Sequence, residues 1–352
     1  MKTITKNKKG EILLLISSFL IGGLVMYLFL QNSITKESTI ILEKNSIKKP
    51  LEKIKDATVV IETWTGQSKD STGSGFVYKK DNKYAYILSN EHVLSGNVIK
   101  VITSKEEELE GRVLGKDPYI DLCVIRVEKD KIEQVATIGN SENTNVGDFI
   151  FTVGAPLGRT YQGTVTTGIL SGKDRMVETT VDNNSSSYVM KVLQFDASIN
   201  SGNSGGPLLN AKGEVIGVVL MKLIDEQIEG MSFAIPIEDA MAMVEDLENG
   251  KTKEYPELGI TMTNISNSAT ISNQNIKVPE NQKEGAVILS IKEKGPAKDA
   301  KLKKGDIITQ IDGNHVKDTA YLKYELLKHS TGDKIKVTYL REGKEKETTI
   351  KL

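Results

Sequence analysis

The sequence predicts an N-terminal apolar helix, a large all-β domain and a small α/β module at the C-terminus. Three observations predict this division. Residues 12–30 are uncharged, residues 54–235 contain many short β-type runs separated by Gly, Asn and Asp turns, and a helix signal begins at Pro236. Many short strands with almost no helical period favour a β-barrel or a β-sandwich. The 352 residues are enough for two domains and further segments.

The N-terminal apolar run has the length and flanks of a membrane anchor. Four lysines within residues 2–9 precede 19 uncharged residues, 12–30, close to the ~20 that a helix needs to cross a bilayer. A secretory signal has a shorter apolar core and a small-residue cleavage site, whereas this run ends in Leu-Gln-Asn. We therefore expect an uncleaved anchor over residues 11–31 rather than a cleaved signal. Residues 1–10 would lie in the cytoplasm, and residues 32–53 would form a polar stalk on the other side.

Short apolar runs in residues 54–248 predict the strands of the all-β domain. The runs are 58–61, 75–78, 84–88, 98–102, 122–127, 149–153, 164–170, 189–195, 215–220 and 233–235. Pro236 then opens a helix with two acidic residues in its first turn, and the pattern ends near Gly250. We expect this helix to close the domain and residues 249–257 to link it to the C-terminal module.

A Gly-rich turn around Ser204 is the most informative segment of the chain. In Gly202-Asn203-Ser204-Gly205-Gly206-Pro207, the serine hydroxyl can be exposed while neighbouring N–H groups converge on one point. Acyl transfer needs such a nucleophile and two donors within about 3 Å of the reacting carbonyl oxygen. Because Gly-Ser turns also occur in ordinary hairpins, this interpretation depends on a base and an acid elsewhere.

His92 and Asp121 are the candidate base and acid. His92 lies just past the run that ends at Leu88, and Asp121 opens the run 122–127. Either residue alone fits a structural role, but the chain order His, Asp, Ser is that of the chymotrypsin-like double barrel. We therefore predict two β-barrels, with His92 and Asp121 on the first, Ser204 on the second, and the cleft between them.

The predicted reaction gives each residue a distinct role. Ser204 attacks the carbonyl, and His92 takes the serine proton and later returns it to the leaving amine. Asp121 fixes the imidazole tautomer and stabilises the imidazolium. The backbone N–H groups of Gly202 and Ser204 form the oxyanion hole.

Longer motifs around these residues resemble the HtrA (Deg) family of serine proteases. The motifs are Ser89-Asn90-Glu91-His92-Val93, Asp121-Leu122, Asp196-Ala197-Ser198-Ile199-Asn200, Gly202-Asn203-Ser204-Gly205-Gly206-Pro207-Leu208, Gly217-Val218-Val219 and Ser232-Phe233-Ala234-Ile235-Pro236. The resemblance covers roughly residues 55 to 352 and implies a serine endopeptidase of the membrane-anchored form with one PDZ domain. Two positions depart from the family pattern. Ser89 stands where the family usually has Thr, and Ser201 stands where Pro commonly fixes one φ angle of the oxyanion turn.

Counting back from the nucleophile predicts some residues of the primary specificity pocket. In the chymotrypsin-like arrangement, the residue six positions before the nucleophile lies at the base of this pocket, and here it is the uncharged Ser198. The candidate pocket walls, Ile199 and Leu220, are apolar and bulky. We therefore expect cleavage after Val, Ala, Leu or Ile rather than after Lys or Arg. The resemblance implies a supporting role for the nearby Asp196.

Residues 173–188 form a long polar insertion between two predicted strands. The composition fits a disordered surface loop. In HtrA proteases the equivalent loop resembles a sensor that orders the oxyanion turn when an effector binds. On that hypothesis, the insertion couples the C-terminal module to residues 201–203.

Residues 258–352 have the pattern of a small α/β module. The predicted strands are 286–291, 306–311, 334–340 and 346–352, the predicted helices are 296–300 and 319–328, and Asp312-Gly313 is a tight turn. The module resembles a PDZ domain of the HtrA type, which implies that an extended peptide pairs with a sheet edge while N–H groups capture its terminal carboxylate. The resemblance assigns Leu258, Gly259 and Ile260 to the carboxylate loop; the alternative is that they only start a core strand.

The composition argues against several other classes of protein. A formal net charge of −1 gives no reason to expect nucleic-acid binding. The single cysteine, Cys123, excludes an intrachain disulfide and lies in an apolar strand pattern typical of a small core residue. Three scattered histidines and one cysteine form no metal-ligand cluster, so we expect no metal and no other cofactor.

The sequence therefore predicts a single-pass serine endopeptidase of a bacterial cytoplasmic membrane, with its catalytic and PDZ domains outside the cytoplasm. The expected partners are unfolded or membrane-associated proteins as substrates and C-terminal peptides at the PDZ domain. The resemblance also implies a homotrimer and a role in protein quality control or the stress response. One alternative is a non-catalytic holdase or scaffold that retains the fold, and the intact triad argues against it. Another is a narrow signalling protease, which would differ in substrate range and not in chemistry.

Overall fold

The computed structural model describes residues 21–27, 47–180, 187–220, 230–251 and 253–352. The contacts divide the chain into two units, Met1–Lys49 and Pro50–Leu352. In the smaller unit, residues 21–27 are helical. No helix within the described ranges is both long enough and apolar enough to span a bilayer. Most of the anchor and stalk predicted over residues 11–53 lies outside the described residues.

Twelve strands of the larger unit form two closed barrels. The strands are β1 (Thr58–Thr65), β2 (Ser68–Lys80), β3 (Tyr84–Ser89), β4 (Val98–Ile102), β5 (Glu108–Asp117), β6 (Leu122–Glu128), β7 (Phe149–Gly154), β8 (Thr164–Thr180), β9 (Ser187–Phe195), β10 (Pro207–Asn210), β11 (Val215–Leu220) and β12 (Ser232–Pro236). The first barrel has the order β1-β2-β3-β6-β5-β4, and the second has the order β10-β11-β12-β9-β8-β7. The double barrel predicted from the order of the three candidate residues is therefore confirmed.

Helices are few in the described part of the chain. They are α1 (Lys48–Glu52), α2 (Ile237–Glu248), α3 (Ser268–Asn273), α4 (Pro296–Asp299) and α5 (Thr319–Leu327), with 3₁₀ turns at Glu91–Val93, Lys129–Lys131, Ser141–Asn143 and Arg159–Tyr161. Helix α2 begins directly after Pro236, as the sequence predicts. It approaches the first barrel so closely that a Cβ on Gly115 would lie 2.3 Å from the carbonyl oxygen of Leu247. Glycine at this position therefore permits the contact between helix and barrel.

Each barrel encloses its own apolar core. The first core includes Val59, Ile61, Val77, Ile87, Val101 and Ile125, and the second includes Ile150, Leu170, Leu193, Phe195, Leu208 and Val219. Because strands of a closed barrel alternate inward and outward residues, each strand contributes side chains to this interior at every second position. Burial of these side chains stabilises each barrel by roughly 1.5–3 kcal/mol per large residue.

Two strands of the barrels were not predicted from the sequence. β5 is rich in charged residues, and its burial alternates between exposed and half-buried over its first six positions; it closes the first barrel by pairing with both β4 and β6. β10 has only four residues and starts directly after the candidate nucleophile turn, where it pairs with β7 and β11. The alternation of β5 is weak, because its half-buried positions 109, 111 and 113 hold Leu, Gly and Val. β10 is too short for any alternation to be visible.

The polar insertion is largely a β-hairpin, so the disordered-loop interpretation is wrong for residues 173–180. β8 continues to Thr180, which pairs with Ser187 at the start of β9. The register shifts twice before Arg175, and Asp174 takes a φ of 53° at this bulge. The polar sequence gives no strand signal here, because the outer part of a hairpin requires no buried apolar face. Residues 181–186 lie outside the described residues.

The C-terminal module is one antiparallel sheet packed with short helices. Its strands are β13 (Ile260–Asn264), β14 (Ala286–Ile291), β15 (Ile307–Ile311), β16 (Asn314–His315), β17 (Lys334–Arg341) and β18 (Lys344–Lys351). The sheet order is β13-β14-β15-β17-β18, with β16 paired to β15, so β13 lies at one edge. Leu322 and Leu326 of α5 pack into the apolar core under the sheet together with Ile288 and Val337.

Candidate active site

The first barrel brings His92 and Asp121 together. Residue 92 follows the end of β3, and residue 121 precedes the start of β6. These strands are antiparallel neighbours, with Ser89 opposite Cys123. The end of one strand and the start of the other therefore lie at the same rim of the barrel. The His92 Nδ1 and Asp121 Oδ2 atoms are 2.6 Å apart.

The carboxylate of Asp121 is held in one orientation. It is 1% exposed, and its second oxygen, Oδ1, accepts a hydrogen bond of 2.9 Å from the backbone N–H of His92. Its backbone takes a φ of 52°, and its carbonyl accepts a hydrogen bond from Asn90 Nδ2. Since a carboxylate is an acceptor, His92 Nδ1 carries the proton in this pair. This tautomer leaves Nε2 as the basic nitrogen of the ring.

Asp117 and Tyr255 support the turn that leads to Asp121, and neither was predicted from the sequence. Asp117 is 5% exposed, and its Oδ1 accepts hydrogen bonds from the backbone N–H groups of Tyr119 and Ile120. Its Oδ2 accepts a hydrogen bond of 2.5 Å from the Tyr255 hydroxyl. The Asp-Pro dipeptide at 117 and 118 favours a turn and is the one sequence signal for this support. Tyr255 comes from the segment that joins α2 to the C-terminal module.

The candidate nucleophile Ser204 lies in the turn between β9 and β10 of the second barrel. Ser204 is 4% exposed, and its carbonyl accepts a hydrogen bond of 2.8 Å from the Ser74 N–H. Gly205 has a φ of 81°, and a Cβ there would lie 2.3 Å from the Ser74 carbonyl oxygen, so this position requires glycine. None of the hydrogen bonds described for the two barrels joins the Ser204 hydroxyl to His92, a contact that often tightens only when substrate binds.

The predicted oxyanion turn has both of its N–H groups free. The Ser201 carbonyl accepts a hydrogen bond of 2.8 Å from the Leu157 N–H, which fixes the peptide group between residues 201 and 202. Gly202 has a φ of 104°, and a Cβ there would lie 2.2 Å from the Ala155 carbonyl oxygen. Among the backbone hydrogen bonds described for the turn, neither Gly202 N–H nor Ser204 N–H is a donor. Both groups are thus available for an oxyanion.

The three candidate pocket residues lie in different environments. Ser198 is exposed, Ile199 is half-buried against the core of the second barrel, and Leu220 is fully buried at the end of β11. The structure therefore does not bring Leu220 to the surface beside Ser198. Residues 221–229, which follow Leu220, lie outside the described residues. Asp196 Oδ1 accepts a hydrogen bond from the Ile169 N–H, which is a structural contact.

The predicted carboxylate loop precedes the edge strand of the C-terminal module. Gly259 has a φ of 73°, which glycine adopts without strain. The carbonyls of Leu258 and Gly259 accept hydrogen bonds from the N–H groups of Ala297 and Lys292, respectively. Ile260 then begins β13 and pairs with β14 on one side only. The other edge of β13 can therefore pair with an added strand.

Helix α5 connects this module to the second barrel and to α2. The Tyr324 hydroxyl donates a hydrogen bond of 2.9 Å to Asp239 Oδ2, and the Tyr321 hydroxyl donates one of 3.4 Å to the Asp174 carbonyl. Burial at this contact raises the pKa of Asp239 above its ordinary value, although the nearby Lys191 opposes the shift. The contact places α5 against the bulge of the β8–β9 hairpin.

Within the described ranges, no cluster of three or more His, Cys, Asp or Glu residues could hold a metal ion. Cys123 is buried beside Asp121, and burial raises the pKa of its thiol well above the ordinary value. A neutral, buried thiol is a poor nucleophile, so the hydroxyl of Ser204 is the nucleophile that the geometry favours.

Comparison with known families defines the class of this protein in two parts. The description of a trypsin-like peptidase domain matches residues 73–218, which span the candidate triad. The description of a PDZ domain matches residues 256–352. The chain thus combines a trypsin-like peptidase domain with one C-terminal PDZ domain.

Individual relatives narrow this class to one family. A protein named serine protease HtrA-like from Staphylococcus aureus strain USA300 is 40% identical over 289 residues, which are 81% of this chain and 38% of that protein. The solved structure of the HtrA-type protease AlgW with a tripeptide is 27% identical, has a TM-score of 0.68, and matches 87% of this chain and 96% of its own. The serine endoprotease from Yersinia pestis is 26% identical, with a TM-score of 0.63 and coverages of 87% and 97%. This chain belongs to the HtrA family of serine proteases, and it spans 38% of the length of the Staphylococcus aureus relatives it matches.

Proposed function

We propose that this chain is a serine endopeptidase that cleaves unfolded or regulatory proteins through an acyl-enzyme on Ser204. The observation that carries the proposal is the 2.6 Å contact between His92 and Asp121, combined with two free N–H groups in the turn that contains the serine. A non-catalytic scaffold would need neither the fixed histidine tautomer nor an open oxyanion turn. Family membership supports the same reaction class.

The proposed reaction proceeds in two halves. His92 Nε2 takes the proton of the Ser204 hydroxyl as the serine oxygen attacks the peptide carbonyl, and the N–H groups of Gly202 and Ser204 stabilise the oxyanion. The intermediate collapses when His92 returns the proton to the leaving amine, which leaves an ester on Ser204. Water then attacks this ester with the same base, and the carboxylic acid product and free serine are released. Asp121 remains ionised and stabilises the imidazolium in both halves.

The proposed substrate preference is for small or medium aliphatic residues at the position before the cleaved bond. Ser198 offers no charge for Lys or Arg, and Ile199 packs with apolar residues of the second barrel. The buried position of Leu220 removes one of the three arguments for this preference. A library of peptides that differ only at this position tests it. Efficient cleavage after Arg alone would contradict the preference.

The PDZ domain is proposed to bind C-terminal peptides and to regulate the protease. An added peptide strand would pair with the free edge of β13, and its carboxylate would meet the loop formed by Leu258, Gly259 and Ile260. Helix α5 touches the β8–β9 hairpin through Tyr321 and α2 through Tyr324, so the PDZ domain has a direct contact with the protease. A free peptide should bind more tightly than its C-terminally amidated form. Equal affinities would contradict the loop assignment.

The cellular setting is proposed from the sequence and from the family. The uncharged run over residues 12–30 supports a membrane anchor with the N-terminus inside, the catalytic domains outside the cytoplasm, and a role in protein quality control. A homotrimer is proposed from family resemblance. Alkaline extraction of membranes tests the anchor, and labelling from outside of a cysteine introduced at an exposed position of the protease domain (Lys212→Cys) tests the topology, since the native Cys123 is buried. Sedimentation of the purified chain tests the trimer.

Fluorophosphonate labelling of the purified full chain tests the catalytic proposal. The wild type should be labelled and should cleave an unfolded protein, whereas Ser204→Ala should lose both activities. Ser141→Ala is a matched control because its buried hydroxyl donates to Glu238, away from the site. Labelling that survives in Ser204→Ala would exclude Ser204 as the nucleophile. An unlabelled wild type that still binds C-terminal peptides would favour the scaffold.

A further inference from the structure

We infer that Ser74 is a positioning residue for the oxyanion hole, an inference that rests on the proposed function. Ser74 lies on β2 of the first barrel and is fully buried. Its hydroxyl donates a hydrogen bond of 2.6 Å to the carbonyl of Gly202 in the second barrel. The same hydroxyl accepts a hydrogen bond of 3.1 Å from the Ala155 N–H. One side chain therefore joins the oxyanion turn to the loop that follows β7.

The backbone of Ser74 extends this contact to the nucleophile and to the histidine segment. Its N–H donates to the Ser204 carbonyl at 2.8 Å, and its own carbonyl accepts a hydrogen bond of 2.7 Å from the Ser89 hydroxyl. Ser74 thus uses its N–H, its carbonyl and both functions of its hydroxyl. Three of these four bonds cross to the second barrel.

The orientation of the Gly202 backbone explains why the hydroxyl matters for catalysis. Gly202 adopts a φ of 104° and packs against the Ala155 carbonyl, a conformation that lies outside the usual range for other residues. The peptide group between residues 201 and 202 is held by the bond from the Leu157 N–H to the Ser201 carbonyl. The next peptide group, between residues 202 and 203, is held by the bond from the Ser74 hydroxyl to the Gly202 carbonyl. With both neighbouring peptides fixed, the N–H of Gly202 is held in one orientation, and it donates none of the backbone hydrogen bonds described for the turn.

The replacement of a family proline by Ser201 makes this anchoring more important. Proline would fix one φ angle covalently and lower the entropy of the loose turn. Ser201 is exposed and gives no such restraint. The bonds from Ser74 and Leu157 therefore supply the order that the turn needs, and the loss of either should let the peptide between residues 201 and 202 rotate.

The test compares fluorophosphonate labelling rates of the full-length wild type, Ser74→Ala, Ser74→Cys and the control Ser141→Ala. We expect Ser74→Ala to be labelled about 10- to 100-fold more slowly, less than the ~100- to 1000-fold loss on removing an oxyanion donor itself. Ser74→Cys keeps a weak donor and should give an intermediate rate. Ser141→Ala removes one buried hydroxyl far from the turn and should be labelled like the wild type. Wild-type rates in both Ser74 variants would overturn the inference.

The pH profile separates positioning of the turn from general damage to the site. The dyad of His92 and Asp121 is held by contacts that do not involve Ser74, so the shape of the pH profile of the labelling rate should be the same in the wild type and in Ser74→Ala. In Ser74→Ala, only the maximal labelling rate of the profile should fall. A shifted inflection would show that Ser74 acts on the dyad and would overturn the inference. With peptide substrates, kcat should fall while KM changes less than about twofold.

Crystal structures give a readout that does not depend on activity. In Ser74→Ala, the Ser201 carbonyl should leave Leu157 and the Gly202 N–H should turn away from the site. If Ser74→Ala does not fold, Ser74→Cys serves for the same comparison. An unchanged turn in a folded variant would overturn the inference, whether or not the wild type is catalytic. A wild type that is never labelled, together with a rotated turn in the variant, would instead count against the proposed function alone.

Discussion

The two barrels hold their catalytic residues by different means. His92 and Asp121 lie at the rim of the first barrel, and the contact between them needs only the pairing of β3 with β6. The turn of Ser204 lies in the second barrel, yet its carbonyls accept hydrogen bonds from Ser74 of the first barrel and from Leu157 of a neighbouring loop. The dyad is therefore complete within one barrel, whereas the oxyanion turn depends on contact between the barrels. Changes at the interface should act on the turn first.

The largest expected effect comes from the dyad. In Asp121→Asn, Oδ1 can still accept from the His92 N–H, but the amide would face Nδ1 and favour the wrong tautomer. We expect kcat to fall by about 10⁴-fold, the loss known for this change in serine protease triads. Peptide hydrolysis by the full chain measures it. Asp130→Asn, exposed at the other end of β6, is the matched control. Similar losses in both variants would refute a specific role for Asp121.

Substitutions in the oxyanion turn should lower kcat less than substitutions in the dyad. In Gly202→Ala, a φ of 104° is strained for alanine, and the Cβ would meet the Ala155 carbonyl at 2.2 Å. We expect kcat to fall by about 100- to 1000-fold with a small change in KM. Gly66→Ala is the control. Its φ of 62° also strains the backbone of an alanine, but the added Cβ would meet no neighbouring atom. Equal activity of Gly202→Ala and Gly66→Ala would contradict the assignment.

An ion pair across the barrels should contribute mainly to stability. Glu62 of β1 is 2% exposed and accepts two hydrogen bonds from Arg159, which follows the loop of Leu157. We expect Glu62→Gln to lower the free energy of unfolding by about 1–3 kcal/mol. Glu108→Gln removes the exposed partner of the same arginine and should cost less than about 1 kcal/mol. Chemical denaturation measures both changes. Equal losses would show that burial of Glu62 is unimportant.

The same ion pair predicts a pH dependence with a definite sign. Burial of Glu62 opposes ionisation, but the hydrogen bonds and charge of Arg159 outweigh it and hold the pKa below the ordinary value of 4.5. A depressed carboxylate pKa stabilises the folded state above the unfolded-state pKa. The difference in stability between wild type and Glu62→Gln should therefore be complete above about pH 4.5 and vanish as the pH falls through the lower, folded-state pKa. A difference that grows on acidification would contradict this.

The smallest expected effect tests a support that the dyad receives from outside its barrel. Tyr255→Phe removes the hydroxyl that donates to Asp117, below the turn of Asp121. Loss of one such bond is worth about 0.5–1.5 kcal/mol, so we expect kcat/KM to fall by about 2- to 10-fold. Tyr78→Phe is the control, because its hydroxyl donates to Glu248 away from the dyad. Equal activities in the two variants would exclude a link from Tyr255 to catalysis.

Local patterns were enough to predict the candidate catalytic residues. His92 follows β3 and Asp121 precedes β6, and apolar runs predict both strands, whereas Ser204 was predicted from its Gly-rich turn. Glycines at 202 and 205 are visible in the sequence, and their positive φ angles explain why glycine is needed there. Side-chain chemistry and turn geometry are local properties, so a single sequence reveals them.

Hydrogen bonds that support the site from residues far away in the sequence were not predicted. Ser74 lies 128 residues from Gly202, and Tyr255 lies 138 residues from Asp117. Neither Ser74 nor Tyr255 has an unusual local pattern, and a buried serine looks the same as an exposed one in the sequence. The charged strand β5 was missed for a similar reason, since its place is fixed by pairing with β4 and β6.

The sequence by itself determined the reaction class, the candidate triad and the double-barrel fold, because the candidate base and acid lie beside strand signals, the candidate nucleophile lies in a Gly-rich turn, and the three occur in a diagnostic order. Only the tertiary structure decided how the oxyanion turn is held and that Leu220 is buried. It also decided that the polar insertion is mainly a hairpin. The physical reason is that burial and hydrogen bonding between distant segments depend on which surfaces meet when the barrels pack. That information is spread over the whole chain and is not contained in any short motif.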